Sequence, residues 1–122
     1  MKNAITWFEI PTTDLARAKR FYEKVLGLEL NNFSPNENLQ MAIFPADEKG
    51  VGGALVHAPD FYKAGHEGTL VYLPAENLEA SLERVAKEGG KVLLGRTQVS
   101  EAIGFMAIIE DSEGNRVGLM GR

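Results

Sequence analysis

The sequence predicts an α+β fold made of two tandem βαβββ modules, each a four-stranded sheet with one helix. Three observations support this prediction. Strand and helix patterns occur twice in the same order, the helix caps recur at a fixed spacing, and the 122 residues match one ordinary domain. We expect a single domain over residues 1–122, with module one at about 1–60 and module two at about 66–122.

The first module is predicted from strand composition and helix caps. Residues 4–10 are rich in β-branched and aromatic side chains, which favours a strand, and Pro11 ends it. Asp14 is a good N-cap for a helix whose apolar positions recur at helical spacing to Val25, and Gly27 ends that helix. Polar turns, one of them over 34–38, then separate three strands predicted at 28–33, 39–44 and 52–57.

The second module repeats this order. A strand is predicted over 69–73, and a helix begins at the cap Asn77 and ends at Gly89-Gly90. Three strands follow, over 91–94, 103–109 and 116–120.

An internal repeat relates the two modules. A shift of 63 residues places Asp14 on Asn77, cap on cap, and the same shift carries 53–56 onto 116–119. Any two βα units share some pattern, but here the later strands also keep their register. We therefore interpret the two halves as copies of one module.

Composition excludes several classes of protein. The net charge of −4 offers no basic surface for nucleic acid and disfavours anionic membranes. The absence of cysteine excludes disulfides, thiolate metal sites and a cysteine nucleophile. No apolar run is long enough for a membrane span or a signal peptide, so we expect a cytoplasmic protein. Phosphate-binding glycine loops and a nucleophile elbow are also absent from the sequence.

Two segments of the chain carry a recognisable pattern. Residues 8–15 are followed by Phe21-Tyr22 and Leu26-Gly27, and residues 110–116 form a polar turn near the end of the sequence. The first segment resembles the opening strand and helix of the vicinal oxygen chelate superfamily, which includes glyoxalases, bleomycin resistance proteins and dioxygenases. The second resembles its closing turn, with Ser112 where proline is common. The resemblance implies a cup-shaped sheet with the helices on its convex side. It also implies a homodimer, often with the cavity shared between chains.

The resemblance further implies four metal-ligand positions, two in each module. In this sequence they fall on Trp7, Leu55, Leu70 and Gly118, and none of these side chains can bind a metal. We therefore expect no metal cofactor. A divalent ion would be expected only if this assignment of positions is wrong.

Strand alternation predicts which side chains enter the cup. Phe8, Ile10, Val71 and Leu73 should face the helices. The predicted cup residues are Trp7, Glu9, Leu55, His57, Leu70, Tyr72, Gly118 and Met120. This mixture of apolar, aromatic and a few polar groups suits a small-molecule pocket. The alternative is a cup filled by its own core.

Glu9 and His57 are the candidate catalytic residues. Glu9 could act as a general base or bind a cationic or hydrogen-bonding ligand, and His57 could pair with it. A structural role would instead pair Glu9 with Arg116, Arg96 or a backbone amide, and leave His57 as an edge histidine. His66 is expected in a solvent-exposed loop, although a metal site formed with Glu9 and His57 is conceivable.

The functional prediction is a metal-independent small-molecule-binding protein without nucleic-acid or membrane partners. The alternatives are a metal-dependent lyase similar to lactoylglutathione lyase, a dioxygenase, or a metal-free isomerase or lyase using Glu9 as base. A module whose only role is assembly is a further alternative.

Overall fold

A computed structural model describes residues 3–122 and confirms the order βαβββ twice. The first module consists of β1 (Trp7–Pro11), α1 (Leu15–Leu26), β2 (Asn31–Asn36), β3 (Leu39–Ile43) and β4 (Gly52–His57). The second consists of β5 (Tyr72–Ala75), α2 (Leu78–Lys87), β6 (Lys91–Ser100), β7 (Gly104–Glu110) and β8 (Arg116–Gly121).

Both helices begin at the predicted caps. The Asp14 carboxylate accepts a hydrogen bond from the Arg17 backbone N–H at 3.1 Å, and Asn77 caps α2 through the Ala80 N–H at 3.1 Å. Gly27 ends α1 in the left-handed conformation, with φ 67°, which a residue with a side chain rarely adopts. Gly89, with φ 95°, follows the C-cap Glu88 of α2, in agreement with the predicted end at Gly89-Gly90, so local sequence sets all four helix ends.

Each module forms its own four-stranded sheet. The strand orders are β1-β4-β3-β2 and β5-β8-β7-β6, and only the β1–β4 and β5–β8 pairs are parallel. The helices cover one face of the sheets and also pack against each other, so a single apolar core runs through both modules. Its largest fully buried side chains include Tyr22, Phe21, Leu55, Leu78, Ile109 and Leu119. Within residues 3–122, neither helix has the length and apolarity to cross a membrane.

Three edge strands differ from the prediction, and one of them, β5, spans Tyr72–Ala75 rather than 69–73. Strand β6 runs to Ser100 rather than Leu94, because it pairs with β7 through several register shifts that hide any simple alternation in the sequence. Strand β2 includes Ser34-Pro35-Asn36, which the sequence predicted to be a turn. Proline is tolerated there because β2 is an edge strand and needs no donor on its open side.

The two modules repeat the same order of elements, but the sequence separation between equivalent residues is not constant. Ile10 pairs with Leu55, and the core residue Leu73 pairs with Leu119. Ile10 and Leu73 are 63 residues apart, whereas Leu55 and Leu119 are 64 apart. The expectation that 53–56 lie on 116–119 is therefore wrong by one residue, and Ala54 is the counterpart of Gly118.

Candidate functional site

The face of each sheet opposite its helix is called here the inner face. Glu9 pairs with Ala54, so the two side chains share this face in the first sheet. Met41, Ala54 and Val56 form a separate buried apolar cluster there, against which Leu39 and Ile43 pack. The inner face of the first sheet is therefore apolar, with one carboxylate at its edge strand.

Leu55 and His57 do not lie on the inner face, contrary to the prediction. Leu55 pairs with Ile10 and is fully buried in the core shared with the helices. His57 alternates onto the same side, and its Nδ1 lies 3.0 Å from the Thr12 carbonyl oxygen. The one-residue difference between the modules caused this error. His57 contacts the segment between β1 and α1 rather than Glu9.

Aromatic rings lie over glycines on both inner faces. In the first sheet the Trp7 indole lies against Gly52, where a Cβ atom would be 3.2 Å from the ring. In the second sheet the Tyr72 ring covers Gly118, where a Cβ would be only 2.4 Å away. Trp7 is 43% exposed and Tyr72 40% exposed. Each glycine thus lets a neighbouring ring lie close to the sheet and present its other side outwards.

Replacing Gly118 by alanine should displace Tyr72, because the new methyl group would overlap the ring. We expect a loss of about 1–2 kcal/mol in the free energy of unfolding, limited because the half-exposed ring can swing away. Urea unfolding of the single variant and of the double variant with Tyr72→Ser measures this. If the Tyr72→Ser background does not reduce the cost of Gly118→Ala, the steric explanation fails.

The Glu9 carboxylate is held by two aromatic donors, and we name these three residues the acid–aromatic cluster: Trp7, Glu9 and Tyr62. The Tyr62 hydroxyl donates to Oε1 of Glu9 at 2.7 Å, and the Trp7 indole N–H donates to Oε2 at 3.2 Å. The hydrogen bond to Glu9, followed by the charge of that carboxylate, raises the pKa of Tyr62. Tyr62 therefore remains a protonated donor at neutral pH.

Arginine does not bridge Glu9, contrary to the structural alternative. Arg116 donates to the Gly68 carbonyl oxygen at 3.0 Å, and the Arg96 guanidinium lies 3.5 Å from the centre of the Phe105 ring. The sequence did not identify Tyr62 as a site residue. The available indication was an aromatic pair, Phe61-Tyr62, in an otherwise polar connecting segment.

A cavity of about 600 Å³ lies at the seam between the two sheets and is named the seam cavity. Its walls come from β1, from the segment connecting the modules and from the start of β8. Its charged and titratable lining residues are Glu9, Lys63, His66, Glu67 and Arg116. The volume is in the range of small-molecule sites, and Glu9 belongs both to this cavity and to the acid–aromatic cluster.

His66 is exposed, as predicted, but it has a specific partner. Its Nε2 lies 2.6 Å from Oε2 of Glu110, which ties the connecting segment to the end of β7. His57, Glu9 and His66 do not form a common site. In the part of the chain that the structure describes, no three histidine, aspartate or glutamate side chains are close enough to hold a metal ion.

The β7–β8 turn joins the second module to the start of α1 through Glu113. This side chain is fully buried and accepts from the backbone N–H groups of Thr13 and Asp14 at 2.9 and 2.8 Å. Arg17 binds both of its oxygens, at 2.7 and 3.0 Å, and Ser112 adds a hydrogen bond. Burial alone would raise the pKa of Glu113, but these hydrogen bonds lower it to about 2.

Asp111 organises the same turn from inside the core. Its Oδ1 accepts from the backbone N–H groups of Glu113 and Asn115, and its Oδ2 accepts from the Tyr22 hydroxyl at 2.6 Å. Asn115 in turn donates to the Pro11 carbonyl oxygen at 2.8 Å. Burial raises the pKa of Asp111, and this effect outweighs that of the hydrogen bonds, which lower it. The turn therefore fixes β1, and with it Glu9, relative to the second sheet.

Comparison with known families gives a match over nearly the whole chain. The family model of the glyoxalase/bleomycin resistance protein/dioxygenase superfamily matches residues 4–119. A glyoxylase-like domain-containing protein from Didymella fabae is 29% identical over 118 residues, which cover 91% of this chain and 88% of that protein.

Solved structures share the fold at low sequence identity. A glyoxalase/bleomycin resistance protein from Albidiferax ferrireducens has a TM-score of 0.69 at 18% identity, covering 98% of this chain and 100% of that one. A domain of the same description from Frankia has a TM-score of 0.71 at 16% identity, with 100% of both chains covered. Glyoxalase I from Zea mays has a TM-score of 0.66 at 22% identity, and 95% of this chain matches only 45% of that one.

Proposed function

The chain belongs to the glyoxalase/bleomycin resistance protein/dioxygenase superfamily, and from this premise we propose that it binds a small organic molecule without a metal ion. The observation that carries the proposal is the acid–aromatic cluster at the seam cavity. Glu9 is the only one of its three members that carries a charge at neutral pH, and both aromatic side chains are exposed enough to touch a ligand. Such a site recognises a ligand by stacking and hydrogen bonding.

The donor chemistry at the superfamily's metal positions supports the metal-free part of this proposal. The positions inferred from the sequence are Trp7, Leu70 and Gly118, with Ala54 replacing Leu55 after the one-residue correction in the first sheet. These four residues offer no carboxylate, imidazole or amide oxygen to a divalent ion. The residues present therefore do not fit the superfamily's metal centre, and recognition falls to the side chains around Glu9.

A thermal-shift screen of small organic molecules against the wild-type protein and Glu9→Gln tests the proposal. We expect ligands that raise the melting temperature of the wild type and raise that of Glu9→Gln much less. Glu83→Gln, an exposed carboxylate on α2, is the matched control and should respond like the wild type. If ligands stabilise the wild type and Glu9→Gln equally, Glu9 does not belong to the binding site.

We also propose that the protein works as a homodimer assembled through β6. All ten residues of this edge strand are exposed, and Leu93 and Leu94 are each 43% exposed. Val99 at 48% and Ile103 at 57% extend this apolar surface. A long edge strand with exposed apolar side chains favours association, and a second copy of the chain is the occupant we propose.

Analytical ultracentrifugation of Leu94→Lys tests the dimer. We expect the wild type to sediment as a dimer at micromolar concentration and the variant as a 13.4 kDa monomer, since a lysine would be desolvated in the interface. Ala86→Lys, on the exposed side of α2, is the control and should remain dimeric. A monomeric wild-type protein would refute the assembly.

A further inference from the structure

The Glu9 carboxylate lies beside aromatic donors rather than beside a cation. Among residues 3–122, the ion pairs within 4.0 Å use other carboxylates, those of Glu88, Glu110 and Glu113. The two partners of Glu9 are neutral groups, the Tyr62 hydroxyl and the Trp7 indole. A carboxylate has about four lone-pair positions, so about two remain available for a further donor. Its negative charge is therefore available to a ligand.

The two aromatic partners offer a second kind of attraction for the same class of ligand. The Trp7 ring rests against Gly52 and is 43% exposed, and Tyr62 is 36% exposed. Their N–H and O–H groups point at Glu9, so the carboxylate orients both rings. The face of an aromatic ring carries partial negative charge and attracts cations. A carboxylate next to two open rings combines both interactions at one place.

We propose that the ligand of this site is an organic cation, a protonated amine or a quaternary ammonium group, bound at Glu9 in contact with Trp7 and Tyr62. The inference rests on the proposed small-molecule-binding function and names its ligand class. Glu9 supplies the charge, Trp7 the larger ring surface, and Tyr62 holds the carboxylate in position. The net charge of −4 adds a weak general attraction for cations.

The seam cavity is also lined by positively charged side chains. An organic anion is therefore the main alternative to an organic cation as the ligand. Lys63 and Arg116 line it, while Glu67 adds a second carboxylate. His66 is engaged by Glu110, and Arg116 donates through Nη2 to a backbone carbonyl, whereas its buried Nε has no hydrogen-bond partner among residues 3–122. If Lys63 and Arg116 dominated recognition, an organic anion would bind in preference to a cation. The test must therefore compare both signs of charge on one molecular frame.

Trp7 provides a direct optical report, because it is the only tryptophan in the chain. We would follow its fluorescence during titration with benzyltrimethylammonium, benzyl alcohol and benzoate, which carry positive, zero and negative charge on one aromatic frame. The cation should bind at least about tenfold more tightly than the neutral compound, a difference typical of a charge–aromatic site. Added salt should weaken its binding because the attraction is partly Coulombic.

Variants separate the contributions of Glu9 and Tyr62. Glu9→Gln keeps the shape of the side chain and should weaken cation binding by about tenfold, whereas the control Glu83→Gln should change it by less than about twofold. Tyr62→Phe should weaken it by a few fold, because Glu9 loses its positioning hydrogen bond. Circular dichroism of each variant verifies that it is folded.

Four outcomes would overturn the inference. If benzyl alcohol or benzoate binds as tightly as the cation, the site accepts small molecules but does not select cations, and the proposed function stands without this ligand class. If cation binding is unchanged in Glu9→Gln, the charge of Glu9 plays no part. If no probe alters Trp7 fluorescence while screened compounds still stabilise the wild type through Glu9, the ligand belongs to another class. If no probe alters Trp7 fluorescence and no screened compound stabilises the wild type, both proposals fail.

Discussion

Replacing Glu113 by glutamine is expected to lower the free energy of unfolding by about 2–3 kcal/mol, because the buried carboxylate at the centre of a charge-assisted network loses its charge and one of its two acceptor oxygens. The amide oxygen of the introduced glutamine can still accept from the backbone of Thr13 and Asp14, but its NH₂ group would face the Arg17 guanidinium. The half-exposed Arg17 regains water, which keeps the loss below the roughly 3–5 kcal/mol typical of breaking a fully buried pair. Urea unfolding at neutral pH measures it.

The exposed pair of Arg20 and Glu88 provides the control. The Arg20 side chain is 71% exposed and the contact is 3.3 Å, so Glu88→Gln should cost less than about 1 kcal/mol. Equal losses for Glu88→Gln and Glu113→Gln would show that the β7–β8 turn does not hold the modules together.

Acid should reproduce the effect of the Glu113 substitution. The pKa of Glu113 is about 2 in the folded protein, against an ordinary value of 4.5, so its contribution is present above pH 4.5 and is lost as the pH falls towards 2. The raised pKa of Asp111 acts in the opposite direction and offsets part of this loss. Wild type and Glu113→Gln should therefore converge in stability as the pH falls through this interval. A difference in the free energy of unfolding that does not change with pH would contradict the lowered pKa of Glu113.

Tyr22→Phe is expected to cost about 1.5–2.5 kcal/mol, because it removes a buried hydrogen bond to a carboxylate. Burial, and next the charge of Asp111, raise the pKa of Tyr22 well above its ordinary value, so the hydroxyl is a permanent donor. Loss of this donor leaves Oδ2 of Asp111 with the Asn115 amide as its partner. Thermal or urea unfolding measures the cost.

The matched control for Tyr22 is Tyr62→Phe. Its hydroxyl also binds a carboxylate, at 2.7 Å, but the pair is exposed to water. We expect a change below about 0.5 kcal/mol in stability, as for surface substitutions in general. If the two substitutions lower the free energy of unfolding by the same amount, burial of the Asp111 network is not what stabilises the turn.

Much of the fold could be predicted because local chemistry fixes it. Asp14 and Asn77 have side chains that favour the N-cap position of a helix, and Gly27 takes a backbone conformation that suits glycine. The opening segment and closing turn then pointed to the superfamily. Edge strands were harder, because β6 pairs irregularly and its ten exposed residues follow no burial pattern.

The candidate site was predicted only in part, for two physical reasons. A single additional residue between α2 and β8 changed the register, which turned Leu55 and His57 to the helix side although Glu9 and Trp7 were placed together correctly. Tyr62 was missed because long-range contacts between a loop and a strand leave no periodic pattern in sequence. Glu113 lies in the closing turn, but its partners are about a hundred positions away in the sequence, so no local pattern indicates them.

The metal content of the purified protein, measured together with turnover of the hemithioacetal of methylglyoxal and glutathione after nickel or zinc is added, tests the central claim most directly. We expect no stoichiometric metal and no turnover, because Trp7, Ala54, Leu70 and Gly118 offer no metal donors. Stoichiometric nickel, zinc or iron accompanied by turnover would contradict the claim that the protein binds its ligand without a metal ion, through Glu9 and its aromatic neighbours.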